Sequence, residues 1–135
     1  MTDNKPILYY FHDPMCSWCW GFRPVWLQVK AAVECRADIR YVLGGLAPDT
    51  GRPMPESMKA RLRQTWHRIQ QDIPGTKFNF DFWSQCLPRR STYPACRAII
   101  ATRMQAPDRE PYMLFAIQQA YYLQLCNPSD IEVLI

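Results

Sequence analysis

The sequence has few histidines and no long apolar run. The first feature argues against a structural zinc protein, and the second argues against a membrane-spanning protein. Its 135 residues include two histidines, and its six cysteines contain only one Cys-x-x-Cys spacing. A structural zinc centre usually takes four ligands, from two such pairs or from a cysteine pair and a histidine pair, so a zinc site is disfavoured. No stretch reaches the roughly 20 apolar residues that a membrane helix needs. We therefore expect neither a bound metal nor a membrane partner.

Charge of one sign is also scarce. Sixteen basic and twelve acidic residues leave a net charge of +4, too small and too dispersed to indicate a nucleic-acid partner. The first eleven residues lack the basic region, long apolar region and cleavage site of a secretory signal. We therefore expect a cytoplasmic protein with mostly reduced cysteines. With 48% hydrophobic residues, the chain can bury a core, which excludes a disordered protein.

The first 45 residues have the pattern of a strand, a helix and a second strand. Residues 7–11 form an apolar run of strand length, and both faces of this strand are expected to be buried. Apolar residues then recur at helical spacing over residues 17–33, where Pro24 is expected to kink the helix or delay its regular part. Residues 39–43 form the second strand, which should run parallel to the first.

Residues 46–135 are predicted to form a helical domain. Helices are expected over residues 55–72, 91–105 and 108–125, and Thr92 and Asp108 are the expected N-caps of the second and third. Residues 78–83 alternate apolar and polar side chains and are expected to form an extended aromatic segment packed onto the helices. Residues 127–130 close the last helix and could start another. The fold class is therefore α/β, with domains at 1–45 and 46–135.

Cys16 and Cys19 are the candidate catalytic residues, because they lie where the first strand ends and the first helix opens. A thiolate at a helix N-terminus is stabilised by unpaired backbone amides and by the positive end of the helix dipole. Its pKa should therefore fall below about 8.5. Cys16 should be the more exposed sulfur and the nucleophile, and Cys19 can resolve a mixed disulfide one helical turn away.

Four side chains near the two cysteines are candidate substrate-binding residues: His12, Met15, Trp18 and Trp20. His12 could donate to the thiolate or shuttle a proton, or it could merely end the strand. The two tryptophans could form an apolar surface for a substrate or pack against the helical domain, and Met15 could line the site or fill a gap. Asp13 would raise the pKa of a nearby thiol. Arg89 and Arg90 could bind an anion at the following helix start.

The remaining cysteines are expected to be small buried hydrophobic residues, namely Cys35, Cys86, Cys96 and Cys126. Spacing alone does not reveal which sulfurs meet, so a regulatory disulfide among these four stays open.

The run Asp-Pro-Met-Cys-Ser-Trp-Cys-Trp-Gly-Phe at residues 13–22 resembles the active-site segment of DsbA-like thioredoxin-fold oxidoreductases, especially their cytoplasmic FrnE-like branch. Residues 91–98 resemble a second segment, at a helix start in the inserted helical domain of that branch. The resemblance implies a thioredoxin-like fold with an inserted α-helical domain. It also implies thiol–disulfide exchange on protein or small-molecule disulfides, with Cys16 attacking and Cys19 resolving. No cofactor is implied beyond this pair, with glutathione as a candidate co-substrate.

The sequence departs from that family at its C-terminal end. The family fold continues with two further strands, a helix and a cis-proline loop beside the cysteine pair, but no strand-like run follows the helices here. We therefore expect the C-terminal half of the thioredoxin domain to be missing from this chain. If the chain is complete, a homo-oligomer or strand exchange should complete the sheet.

Two alternative functions stay open at this stage. The 2-hydroxychromene-2-carboxylate isomerases and kappa-class glutathione transferases share the architecture and bind glutathione, but they typically have serine where Cys16 stands. A non-catalytic binding or chaperone-like module would instead use the exposed aromatic surface. A Cys16→Ser variant separates these classes, because it should abolish exchange and leave passive binding intact.

Overall fold

The computed structural model describes residues 4–135, so the first three positions of the predicted domain 1–45 lie outside the described residues. Strands β1 (Ile7–His12) and β2 (Asp38–Leu43) flank helix α1 (Ser17–Val33) in the chain. The two strands pair in parallel, as the strand–helix–strand pattern predicts. Helix α1 is continuous through its internal proline.

One face of β1 is open to solvent. Ile7, Tyr9 and Phe11 alternate along this face and are 49%, 57% and 67% exposed. Tyr10 points to the other face, where its ring stacks on Trp26 of α1 with 3.8 Å between centroids. The expectation that both faces of β1 are buried is therefore wrong for the described chain, because α1 packs on one face and the side chains of a strand alternate between faces.

Helices follow β2 in the described part of the chain. They are α2 (Glu56–Asp72), α3 (Phe82–Gln85), α4 (Tyr93–Gln105) and α5 (Glu110–Tyr122), with 3-10 turns at Pro107–Arg109 and Ile131–Val133. The structure has α2, α4 and α5 where the sequence predicts the three long helices. The C-terminal ends of α2 and α4 agree with the prediction, and the other four ends differ by one to three residues.

Three local predictions need correction. The segment predicted to be extended contains the helical turn α3, because the Asn79 side chain accepts the backbone N–H of Asp81 at 3.1 Å and starts a turn. Asp108 is not the N-cap of α5. It lies in the preceding 3-10 turn, and Arg109 holds the capping position. The expected further helix after residues 127–130 is a single 3-10 turn.

The helices enclose an aromatic core centred on Trp66 of α2, which is fully buried. Its ring contacts those of Phe78, Phe80, Phe82, Trp83, Tyr121 and Tyr122. The Trp66 indole N–H donates to Ser17 Oγ at 2.9 Å, so this core supports the first residue of α1. At Gly21 an added Cβ would lie 2.8 Å from Cγ2 of Ile69, so glycine permits the close approach of α1 to α2.

Candidate active site

Cys16 and Cys19 lie at the N-terminal end of α1. Cys16 is the N-cap residue, with extended backbone angles of φ −78° and ψ 112°, and its carbonyl accepts the N–H of Trp20 at 3.2 Å. The free N–H groups of the first helical turn therefore point toward the Cys16 side chain. Both cysteines are free thiols and both are half-buried, so burial does not distinguish them.

Hydrogen bonding distinguishes the two thiols. A hydrogen bond from the Cys19 thiol lowers the pKa of Cys16 to about 6, and the backbone N–H groups of Cys19 and Trp18 add to this effect. Burial and the carboxylate of Asp13 oppose it. The same thiol–thiol hydrogen bond, together with burial, raises the pKa of Cys19. The lowered pKa gives Cys16 a larger thiolate fraction at neutral pH than the few per cent of an ordinary thiol.

A buried carboxylate joins the cysteine turn to two other parts of the chain. Asp13 is 2% exposed, and its Oδ1 accepts the backbone N–H of Met15 at 2.8 Å. Its Oδ2 accepts the backbone N–H of Leu46 at 3.0 Å and the Thr92 hydroxyl at 2.8 Å. Asp13 therefore links the turn before Cys16 to the segment after β2 and to the start of α4. Sequence reasoning considered Asp13 only for its effect on thiol pKa and missed this role.

Thr92 holds the N-cap position of α4, as predicted, but its side chain makes no capping hydrogen bond. Its hydroxyl donates to Asp13 and accepts the backbone N–H of Ala47 at 3.2 Å. Cys96, one turn into α4, is buried and its thiol lies 3.5 Å from Asp13 Oδ2. Burial, followed by the Asp13 charge, raises the pKa of Cys96 to about 12. Cys96 is thus an inert partner of the Asp13 carboxylate at neutral pH.

His12 is buried beside aromatic rings and forms no hydrogen bond to either thiol in the described residues. It stacks on Tyr10 with 5.4 Å between ring centroids and meets Tyr41 edge-on at 5.7 Å. Burial lowers its pKa, and the charged groups that act on it are Glu110, Asp13 and Arg103. The geometry accordingly favours the structural alternative for His12 over donation to a thiolate.

The other three predicted binding residues differ in exposure. Trp18 is 43% exposed beside the cysteines. Trp20 packs against the helical part of the chain, because its indole N–H donates to the Lys77 carbonyl at 2.9 Å and its ring stacks on Tyr122 at 5.4 Å. Met15 is half-buried and packs against the aromatic core around Trp66 and against a second buried cluster, which consists of Ala95, Ile99, Leu114 and Ile117. Of these three, Trp18 presents the most apolar surface to a substrate.

The remaining cysteines only partly match the expectation of buried thiols. Cys96 is buried and Cys86 and Cys126 are half-buried, whereas Cys35 is exposed because it lies beyond the end of α1. Among residues 4–135, no group of three or more His, Cys, Asp or Glu side chains could hold a metal ion. None of the helices in that range is long and apolar enough to span a membrane.

Several solved structures that resemble this chain are named for disulfide chemistry. Among solved structures, a candidate protein disulfide isomerase from Nitrosomonas europaea superposes with a TM-score of 0.81 at 30% identity, covering 97% of this chain and 62% of that one. The cytosolic disulfide reductase DsbM from Pseudomonas aeruginosa gives a TM-score of 0.75 at 25% identity, covering 95% and 60%. The structure of DsbM with GSH gives a TM-score of 0.72 at 27% identity, and the match covers 95% of this chain and 61% of that one.

A curated relative has a different name. The ClpXP adapter protein SpxH of Halalkalibacterium halodurans is 25% identical over 137 residues, covering 98% of this chain and 44% of that protein. The chain thus spans about three fifths of the solved relatives and under half of the adapter protein.

These matches confirm the predicted resemblance to DsbA-like proteins and the thioredoxin-like α/β fold. A family model described as Thioredoxin matches residues 9–135, which is most of the sequence. The chain belongs to the thioredoxin family.

Proposed function

We propose that the protein catalyses thiol–disulfide exchange on protein or small-molecule disulfides through Cys16 and Cys19. The observation that carries this proposal is the place of the two free thiols, because Cys16 is the N-cap of α1 and Cys19 lies in the first turn of the same helix. The lowered pKa of Cys16 and the raised pKa of Cys19 agree with this arrangement. Relatives named as a disulfide reductase and a candidate disulfide isomerase support the same chemistry. Assignment to the FrnE-like branch, with 46–135 as its helical insertion domain, is part of the proposal.

The exchange takes place in two balanced steps. The Cys16 thiolate attacks one sulfur of the substrate disulfide, so that a Cys16–substrate bond forms and the other substrate sulfur leaves as a thiolate. Cys19 then attacks the Cys16 sulfur, its proton passes to a departing thiolate, and the substrate leaves fully reduced. Two electrons have moved to the substrate, and the enzyme holds a Cys16–Cys19 disulfide that an external thiol must reduce. The partially exposed Trp18 provides apolar surface for the substrate chain.

Glutathione is the external thiol that we propose, acting in the cytoplasm. The relative DsbM is named as cytosolic and has a structure with GSH. In this chain Met15, which directly precedes Cys16, shares the lining of a shallow surface depression with Arg89 and Arg90. Arg89 is paired with Asp130, whereas Arg90 forms none of the ion pairs found among the described residues. Glutathione carries two carboxylates, and Arg90 is the cation placed to attract one of them.

The direct test compares Cys16→Ser with Cys35→Ser in glutathione-coupled reduction of a model disulfide. Cys35 is an exposed thiol beyond the far end of α1, so its loss controls for the removal of a cysteine. We expect Cys16→Ser to lose all exchange and Cys35→Ser to keep it. Exchange retained by Cys16→Ser would refute Cys16 as the nucleophile.

A protein-binding role is the second candidate, and two observations favour it. One relative is named as an adapter protein, and one face of β1 exposes Ile7, Tyr9 and Phe11. If this surface binds another copy of the chain, a homo-oligomer follows, and its solution mass would exceed that of the monomer. A Cys16→Ser variant that loses exchange but keeps partner binding would establish both roles. The glutathione isomerase and transferase alternative is disfavoured, because this chain carries a thiol at residue 16.

A further inference from the structure

Two chain segments far apart in sequence run side by side at the end of α5. Cys86 caps the C-terminal end of α3, and its thiol donates to the Leu125 carbonyl at 3.2 Å. A second hydrogen bond joins the same two segments, because the Asn127 side-chain amide donates to the Leu87 carbonyl at 3.2 Å. Leu87 is one residue after Cys86, and Asn127 is two residues after Leu125. Cys126 lies between these two contacts, on the segment that faces Cys86.

Peptide geometry limits the distance between the two cysteines. The oxygen that accepts from Cys86 belongs to the peptide bond that joins Leu125 to Cys126, so it lies within about 3 Å of the Cys126 Cα. With the 3.2 Å hydrogen bond, Cys86 Sγ lies within about 6 Å of that Cα. Because Cys86 Sγ lies about 3 Å from its own Cα, the two Cα atoms lie within about 9 Å of each other. This bound includes the roughly 4.4–6.8 Å over which disulfides usually join Cα atoms. The Cys126 thiol is directed toward the Gln124 carbonyl, at 3.5 Å, so closure requires a side-chain rotation.

The backbone around Cys126 is well anchored. Leu125 has a positive φ of 58°, which reverses the chain after α5, and the Cys126 N–H donates to the Ala120 carbonyl at 3.0 Å. Beyond it, the Asn127 side chain accepts the backbone N–H and the hydroxyl of Ser129, at 3.2 Å and 2.7 Å. These contacts fix the backbone on both sides of Cys126, and the hydrogen bond from Asn127 to the Leu87 carbonyl holds it beside the segment that carries Cys86.

We propose that Cys86 and Cys126 are a second redox-active pair, which closes a disulfide between the end of α3 and the segment after α5 when glutathione disulfide accumulates. The Cys126 thiolate attacks one sulfur of glutathione disulfide, and one glutathione leaves. Cys86 then loses its proton and attacks the Cys126 sulfur, which releases the second glutathione. Two protein thiols are oxidised and one glutathione disulfide is reduced to two glutathione molecules, so atoms and electrons balance.

The order of attack follows from the surroundings of Cys86. Burial, followed by the nearby Cys126 and Asp130, raises the pKa of the Cys86 thiol, which makes it the poorer first nucleophile. Once Cys126 carries a glutathione, Cys86 is the neighbouring thiol that can displace it. This proposal stands apart from exchange at Cys16 and Cys19, because free glutathione disulfide is the oxidant.

A Cys86–Cys126 disulfide would restrain the C-terminal end of α5, which packs against Trp20 of α1. Tyr122 is the last residue of α5, its carbonyl accepts the N–H of Asn79 at 2.7 Å, and its ring stacks on Trp20 at 5.4 Å. A covalent link four residues after Tyr122 would tie this end of α5 to α3 and restrict the unfolded chain. We therefore expect oxidation to raise the thermal unfolding midpoint and dithiothreitol to reverse the rise.

The test uses a Cys16→Ser/Cys19→Ser protein, so that its outcome is independent of the first pair. The protein is equilibrated in glutathione buffers of increasing oxidation, trapped by alkylation and analysed by peptide mass spectrometry. We expect a cross-linked Cys86–Cys126 peptide, and joint protection of both thiols from alkylation. Adding Cys126→Ser should remove the cross-link and the rise in unfolding midpoint, whereas adding Cys35→Ser should change neither.

Two results would overturn the proposal. One is a disulfide from Cys86 to Cys35 or Cys96 in place of Cys126. The other is equal alkylation of Cys86 in oxidising and reducing buffers. An oxidised protein whose unfolding midpoint does not rise would refute the tie between α3 and α5 while leaving the disulfide itself established.

Discussion

The two thiol pairs of this chain have opposite surroundings. Cys16 faces backbone N–H groups and the thiol of Cys19 within one helical turn, and its pKa falls to about 6. Cys86 faces the carbonyl of Leu125 on a separate segment, and its pKa is raised. The Cys19 hydrogen bond and backbone donors stabilise the Cys16 thiolate, whereas burial, followed by the nearby Cys126 and Asp130, disfavours the Cys86 thiolate. The hydrogen bonds and burial around each cysteine therefore decide its reactivity more than the number of cysteines does.

Removing the Asp13 carboxylate should have the largest effect, because this carboxylate links the turn before Cys16 to Leu46 and Thr92. Asp13→Ala leaves the Met15 and Leu46 amides and the Thr92 hydroxyl without their acceptor. Because each buried donor left unsatisfied costs about 1–3 kcal/mol, we expect a loss of about 3 kcal/mol in the free energy of unfolding, measured by urea denaturation.

The isosteric variant Asp13→Asn is the matched control. It keeps one acceptor oxygen, so we expect a loss of about 1 kcal/mol. Because the Asp13 charge raises the pKa of Cys16, this variant should also lower that pKa further. A loss under about 1 kcal/mol in Asp13→Ala would contradict the linking role of the carboxylate.

Removing the Cys19 hydrogen bond should make Cys16 resemble an ordinary thiol. Cys19→Ala lacks the donor that contributes most to the lowered pKa, whereas Cys19→Ser keeps an O–H donor at the same place. The alkylation rate of Cys16 should rise with pH through about 6 in the unmodified protein, since a lowered pKa keeps the thiolate down to that pH. The midpoint of this rise should move to higher pH in Cys19→Ala. Alkylation at pH 6 should then slow by roughly tenfold for every pH unit that the midpoint moves, because the thiolate fraction falls in that proportion.

The serine variant provides the control for this series. Cys19→Ser should keep most of the low midpoint, and the alkylation of Cys86 should be unchanged in both variants. Equal midpoints in Cys19→Ala and the unmodified protein would show that the backbone amides alone set the pKa of Cys16. In that case the thiol–thiol hydrogen bond would have no part in the contrast between the two pairs.

The smallest expected effect concerns Arg90. An exposed Arg90–carboxylate pair contributes about 0.2–1 kcal/mol, so Arg90→Ala should slow reduction of the Cys16–Cys19 disulfide by glutathione a few-fold. Arg36→Ala removes an equal charge beyond the C-terminal end of α1 and should have no effect. The rate with dithiothreitol, which has no carboxylate, should be equal in both variants. A loss of rate with dithiothreitol in Arg90→Ala would contradict anion recognition.

Local patterns made much of the fold predictable. The apolar run before Cys16 and the helical spacing after it predict β1, α1 and the place of the cysteine pair between them. Contacts between distant residues could not be predicted in the same way. Asp13 meets Thr92 across 79 positions of sequence, and nothing near either residue identifies the partner.

Two further differences have local physical causes. The apolar residues of β1 indicate a buried strand, but their exposure depends on which elements cover each face of the sheet, and Ile7, Tyr9 and Phe11 lie on the open face. The α3 turn begins where the Asn79 side-chain oxygen accepts the backbone N–H of Asp81, and this local hydrogen bond competes with the extended conformation that the alternating pattern of residues 78–83 predicts. The spacing of apolar residues in the sequence predicts neither the covering of a sheet face nor a single side-chain hydrogen bond.

The central claim is that Cys16 and Cys19 form a working dithiol site, and a redox titration tests it most directly. The protein is equilibrated with glutathione buffers, trapped by alkylation and analysed by peptide mass spectrometry. We expect a Cys16–Cys19 disulfide that forms reversibly at a potential between roughly −270 and −120 mV, the range of thioredoxin-like proteins. Cysteines 16 and 19 that never pair with each other across these buffers would contradict the claim.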